Sequence, residues 1–124
     1  MQYPIKDYDN FFIPVDSLDR AKRFYRDILG LPVHFDFGDI GMTAFKVGNS
    51  EPAIIAQEKA KHPQARPSIL FEVEDVRKTY DELKGKGVKF LSEPYGIFTG
   101  LAVQFEDPFE NLLGLTDYSK RPKK

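Results

Sequence analysis

The sequence predicts an α+β fold of two βαβββ modules, their strands forming a cup-shaped mixed sheet with the helices outside. Three observations predict it. A strand, a helix and three further strands follow one another twice along the chain. The two runs superpose at an offset of 58 residues: Phe11, Phe12 and Ile13 fall on Ile69, Leu70 and Phe71, Val15 on Val73, and Leu18 on Val76. Such duplication predicts two similar units facing each other. Each helix also carries its apolar residues on one face, so it covers one side of its strands and leaves the other to line a cavity. The chain reads as a single domain: module one over about residues 8–58, a linker at 59–67, module two over about 68–118 and a basic tail at 119–124.

The elements follow in order. Asn10 to Val15 is an apolar strand, and Asp16 or Ser17 offers a helix N-cap. Leu18, Ala21, Phe24, Tyr25, Ile28 and Leu29 then make one helical stripe. Gly30 supplies a stop and Pro32 forbids continuation. Val33 to Phe37 alternates as a strand, with Val33, Phe35 and Phe37 on one face and His34 and Asp36 on the other. Gly38 to Gly41 turns, Met42 to Val47 is a strand, Gly48-Asn49-Ser50 turns, and Pro52 to Glu58 is a strand. Lys59 to Pro67 has two prolines and no periodicity, so it reads as a linker with His62 in solvent. Ser68 to Val73 is a strand. Asp75 caps a helix bearing Val76, Tyr80 and Leu83, stopped by Gly85 and Gly87. Val88 to Leu91, Leu101 to Glu106 and Leu112 to Tyr118 are strands, with a loop from Glu93 and a turn at Asp107 to Asn111.

Composition narrows the function. The chain has 124 residues, 41% hydrophobic and 30% charged, which is ordinary globular composition. No apolar run approaches the ~20 residues of a membrane span, and no secretory signal is evident at Met1 to Asp7, so no membrane association and a cytoplasmic location are expected. There is no cysteine, which excludes disulfides and thiolate chemistry. Without Lys120, Arg121, Lys123 and Lys124, the 18 basic and 19 acidic side chains become 14 and 19, a net of −5. A body that acidic is not expected to bind nucleic acid. The tail reads as a solvated end. No Gly-rich phosphate loop opens either helix, and no nucleophile elbow is present. Most of the 11 Phe and 6 Tyr are expected in the core, and a surplus could line a ligand-binding interior.

Val15-Asp16-Ser17-Leu18, Ala21, Phe24-Tyr25 and Ile28-Leu29-Gly30-Leu31 resemble the first-module signature of the vicinal oxygen chelate superfamily, which holds glyoxalase I, extradiol dioxygenases and bleomycin-resistance proteins. Phe71 to Val76, Gly87-Val88, Pro94 and Asp107-Pro108 through Asn111-Leu112-Leu113 resemble the second. In the metal-dependent members, each module gives a His or Gln from its first strand and a Glu from its last. Carried over, those places fall on Asn10, on Ser68, on Gly114, and on Ile55 or, shifted by one face repeat, Gln57. None is His, Asp or Glu. A divalent ion leaving water needs anionic or imidazole donors, so the resemblance implies a member without metal or other cofactor.

The expected ligand-binding set is Asn10, Phe12, His34, Asp36, Gln57, Ser68, Leu70, Glu72, Gln104 and Gly114. His34 and Asp36, two apart on one strand face, could orient an imidazole as a base, or could sit at a solvated rim. Glu72, on the face of Ser68 and Leu70, is a cavity carboxylate or an edge ion pair. Tyr95, Phe98 and Phe109 lie in loops near the expected mouth and can stack on a ligand, fold back as a lid or fill an interface. Two functions follow. The first is a metal-free, bleomycin-resistance-like protein that holds a small aromatic or amphipathic molecule. The second is a lyase or dioxygenase of the metal-dependent type with ligands displaced to residues such as His34, Asp36 and Glu72. Open sheet edges and the family precedent both point to a homodimer.

Overall fold

The first strand is longer than its apolar core. β1 runs Ile5–Val15, five residues further back than the Asn10 start expected from the sequence. Lys6, Asp7 and Asp9 disguise its first half, yet that half is anchored by tertiary partners. Lys6 pairs with Glu72 at 3.7 Å and Glu74 at 3.3 Å, the Tyr8 ring lies 5.9 Å from that of Phe71, and the Tyr118 hydroxyl donates to the Asp9 carboxylate.

This computed structural model describes residues 4–48 and 53–120. Part of the turn expected at 48–50, Pro52, and all but the first two residues of the basic tail lie outside the described residues. Contacts divide the chain into two compact units. One is Asn10–Ser68; the other joins the described residues up to Asp9 with those from Ile69 onward.

In the Asn10–Ser68 unit, Ser17 caps the first helix by accepting from the Arg20 N–H at 3.3 Å. α1 (Leu18–Ala21) makes one α turn and continues from Lys22 to Ile28 as a π-helix. The Leu29 N–H reaches back five residues to the Phe24 carbonyl at 2.9 Å. The wider turn rotates the expected stripe out of register. Leu18 and Ala21 are buried and Tyr25 packs on them, but Phe24, Ile28 and Leu29 are 47%, 72% and 52% exposed. Three further strands follow: β2 (Val33–Phe37), β3 (Met42–Lys46) and β4 (Ala53–Glu58). Their order is β2-β3-β4-β1, with β4 parallel to β1 and the other pairs antiparallel.

A register shift between Val33 and Phe35 puts one extra residue, His34, into β2. Strict alternation would keep Val33 and Phe35 on one face; the irregularity flips the phase. Val33 joins the helix-side cluster with Phe45, Ala56, Ile13 and Val15. Phe35 joins Phe12 and Met42 over Ala44, Ala53 and Ile55 on the opposite face. The expected grouping of Val33 with Phe35 and Phe37 is thereby corrected. The linker is also less free than expected. Lys61 Nζ donates to the Asp39 carbonyl at 2.6 Å, and His62 Nε2 lies 2.6 Å from the Ile40 carbonyl, which fixes a proton on that nitrogen.

In the other unit, β5 (Ser68–Val73) leads to α2 (Val76–Gly85), capped by Asp75, which accepts from the Lys78 N–H at 3.0 Å. β6 (Lys89–Phe90), β7 (Tyr95–Gly96), β8 (Leu101–Glu106) and β9 (Leu112–Thr116) complete it. The order is β1-β5-β9-β8-β6, with the short β7, not anticipated from the sequence, on β8. Val73, Val76, Tyr80, Val103, Phe105 and Leu115 form the helix-side core. Each fully buried Val or Leu contributes on the order of 2 kcal/mol by removing apolar area from water. β9 stops at Thr116, short of the expected Tyr118, because Asp117 turns inward and is 1% exposed. Its carboxylate accepts from the backbone N–H groups of Val76 (2.8 Å), Leu101 (2.9 Å) and Ser119 (3.2 Å) and from the Ser119 hydroxyl (2.8 Å). One side chain thus ties the start of α2 to β8 and the end of the chain.

Candidate functional site

Since each helix occupies one face of its strands, the opposite faces are the candidate surfaces. In the Asn10–Ser68 unit that face is apolar and aromatic. Phe12 on β1, Phe35 on β2 and Met42 on β3 pack over buried Ala44, Ala53 and Ile55. The Phe35 and Phe37 rings lie 4.7 Å apart. Asn10 sits at the start of this face opposite Ala53, whose N–H it binds through Oδ1 at 3.1 Å. Gln57 lies at the other end beside Met42 and Pro14, half-buried. Ser68 closes the unit at the first residue of β5 and is also half-buried.

In the other unit the corresponding face carries Leu70 and Glu72 on β5, Ala102, Gln104 and Glu106 on β8, and Gly114 on β9. Their sequence neighbours Phe71, Val73, Val103, Phe105, Leu113 and Leu115 all pack towards α2. Gln104 is paired with Gly114 across the ladder and is exposed. A Cβ built on Gly114 would come within 2.8 Å of Leu70 Cδ1. A side chain at 114 would therefore need the Leu70 methyl to give way. Glu72 is an ion pair with Lys6, and Glu106 pairs with Lys89 at 3.3 Å.

His34 and Asp36 do not form the expected couple. His34 is exposed at the irregularity, its ring 5.8 Å from Phe35. The same irregularity sends Asp36 to the helix side opposite Thr43. There its carboxylate meets Lys22 Nζ at 2.5 Å and accepts from the Thr43 hydroxyl at 3.0 Å. The Lys22 ammonium, with Thr43, holds the Asp36 carboxyl below the ordinary carboxylate range. A cleft of about 430 Å³ opens beside this pair, lined by Ser17, Asp19, Lys22, Asp36 and Glu58. It is on the helix side, away from Phe12 and Phe35.

The donor set does not fit the divalent ion considered from the resemblance. Asn10 spends its carbonyl oxygen on β4, Gly114 has no side chain and Leu70 covers it, and Ser68 offers a neutral hydroxyl. Among the described residues no three His, Asp or Glu side chains come together. The displaced trio of His34, Asp36 and Glu72 does not assemble either. Glu72 is bound to Lys6, and Asp36 is turned to the helix side with Lys22.

Phe35 and Met42 belong to the apolar face with Ile55 and stand outside the set expected from the sequence. Phe35 was assigned to the wrong side because nothing local marks His34 as an extra residue. Met42 is legible in principle, since the β3–β4 ladder alternates without interruption from Met42.

The sequence profile of the "Glyoxalase/Bleomycin resistance protein/Dioxygenase superfamily" matches residues 8–115. The uncharacterised Bacillus subtilis protein YraH is 30% identical over 113 residues, covering 80% of this chain and 88% of its own. YetH of the same organism is 29% identical over 119 residues, covering 91% and 99%. Among solved structures, methylmalonyl-CoA epimerase from Mycobacterium tuberculosis superposes with a TM-score of 0.73 at 19% identity, over 94% of this chain and 91% of that one. That likeness concerns the fold.

Proposed function

The chain belongs to the glyoxalase/bleomycin resistance protein/dioxygenase superfamily, and from that premise we propose that it is a metal-free binding protein. Its ligand is a small aromatic or amphipathic molecule, held by the sheet faces that turn away from the helices. The observation that carries this reading is Leu70 seated against Gly114. A carboxylate ligand at the place implied by the family would need the volume that an apolar side chain fills. Asn10 supports the same reading from the other unit, its carbonyl oxygen being a strut to β4 rather than a free donor. The contributing residues are Asn10, Phe12, Gln57 and Ser68 on the Asn10–Ser68 unit, where His34 is exposed, and Leu70, Glu72, Gln104 and Gly114 on the other. Asp36, held on the helix side by Lys22 and Thr43, lies apart from that face.

The protein is further proposed to work as a cytoplasmic homodimer. Among the described residues no helix is long and apolar enough to cross a membrane. Elemental analysis for zinc, nickel, iron and manganese on dialysed protein, with native mass spectrometry, tests the binding reading. The expected result is no stoichiometric metal and a small organic mass carried from the cell. One metal per chain surviving dialysis would move the chain to the lyase or dioxygenase class. Light scattering should give twice the 14.2 kDa of the chain.

A further inference from the structure

The acids of this chain are disposed in a way that selects the charge of the ligand. Three carboxylates could have made the helix-free faces attractive to a cation: Asp36, Glu72 and Glu106. The irregularity at His34 sends Asp36 to the helix side, where Lys22 and Thr43 hold it. Glu72 is paired with Lys6 and Glu106 with Lys89. Lys46, at the end of β3, is engaged within the chain. What remains on the face of the Asn10–Ser68 unit is Phe12, Phe35 and Met42 over a floor of Ala44, Ala53 and Ile55, with carboxamides at either end. In its own unit, Leu70 covers Gly114. A charged ligand brought onto such a surface loses hydration, and among the described residues Asp36, Glu72 and Glu106 are each already in an ion pair. A neutral ring loses nothing comparable and gains contact with two phenyl groups and a thioether.

We infer that the ligand class is an uncharged planar ring carrying a single hydroxyl or carbonyl, with Phe12 and Phe35 as ring contacts and the Gln57 carboxamide as the specificity-determining polar partner. This rests on the metal-free binding reading and goes beyond it, because it rejects cations such as basic drugs and anions such as acyl carboxylates. Gln57 is half-buried beside Met42, and its carboxamide can both donate and accept.

Three naphthalenes with one ring system and different charge test this: 2-naphthol, 2-naphthoate and 2-naphthylmethylammonium. The chain has no tryptophan, so naphthalene emission can be followed directly. Titrations use the full chain after chelator treatment and again with added zinc or nickel. Without metal, 2-naphthol should bind at least about tenfold more tightly than either ion, the cost of desolvating an uncompensated charge. Phe12→Ala should weaken it about tenfold and Phe12→Leu by less, the second variant guarding against loss of fold. Gln57→Leu should leave the affinity for 2-methylnaphthalene unchanged while removing most of the preference for 2-naphthol over it. Metal-independent binding that favours either ion, or no binding of any of the three, overturns the inference and leaves the metal-free reading to its own metal analysis. Binding that appears only after metal is added overturns the metal-free reading itself.

Discussion

The two helices occupy the same place in the repeat and wind differently. Their caps, Ser17 and Asp75, are 58 residues apart, the offset of the flanking strands. Both helices end at a glycine in the left-handed region, Gly30 at φ +80° and Gly87 at φ +95°. Gly30 comes thirteen residues after its cap and Gly87 only twelve. The first helix must therefore fit one more residue between the same two landmarks, and it does so with a π segment from Lys22 to Ile28. The second stays α-helical throughout and buries Val76, Thr79 and Tyr80. Duplication thus copies a scaffold, and beside the extra residue Phe24, Ile28 and Leu29 stand outside the core. Anchoring differs too. The second helix is bolted at its start by buried Asp117, just past the end of β9, whereas the first has its own cap and the surface pair Lys22–Asp36.

The sharpest way to break this contrast is to remove the bolt. Asp117→Ala should cost about 3 kcal/mol or more, because it strips partners from buried N–H groups at Val76 and Leu101. Urea unfolding measures it; a loss below about 1 kcal/mol would mean that water replaces the carboxylate. The same residue gives a pH dependence. Burial pushes the Asp117 carboxyl up, and the hydrogen bonds from Val76, Leu101 and Ser119 more than offset this, leaving it below the ordinary range. A depressed native value means stability is present above the unfolded pKa and lost as pH falls through the native one. Stability should decline below about pH 4, and the acid limb should be shallower in Asp117→Asn.

A smaller effect is expected where the family-implied ligand place is refilled. Gly114→Glu should destabilise by about 2 kcal/mol through overlap with Leu70, and Leu70→Ala in the same chain should recover part of that loss. Equal stability of the single variant and the parent would show that Leu70 swings away freely. Next come the caps. Ser17→Ala and Asp75→Ala should each cost about 1 kcal/mol, and a marked inequality would show that one helix draws its stability from elsewhere. The smallest change is expected from deleting Asp27. It restores the twelve-residue spacing, keeps Leu18, Ala21 and Tyr25 in helical phase, and removes only an exposed neighbour pair with Arg26. Stability should stay within about 1 kcal/mol of the parent while the amide hydrogen-bond pattern, read by NMR, becomes α-helical. A loss above about 2 kcal/mol would show that packing, not the extra residue, demands the π segment.

The residues by themselves determined the repeated order of strand and helix, the caps at Ser17 and Asp75, the edges of Leu101–Glu106, and that the places where the resemblance implies metal ligands hold Asn10, Ser68 and Gly114. These are periodic or compositional features, and a period of two or 3.6 is readable without knowing what lies across the sheet. Tertiary structure alone decided which face Asp36 joins, because the phase of β2 depends on how Val33 and Phe35 pair with Phe45 and Ala44. It decided that Lys6 and Tyr8 extend β1, through partners more than 60 residues away. It also decided that Leu70 rests on Gly114 and that Asp117 gathers four donors from three parts of the chain. The physical reason is common to all four. Each depends on register or on convergence between distant segments, and a one-residue change in register reverses the outcome without altering any local pattern.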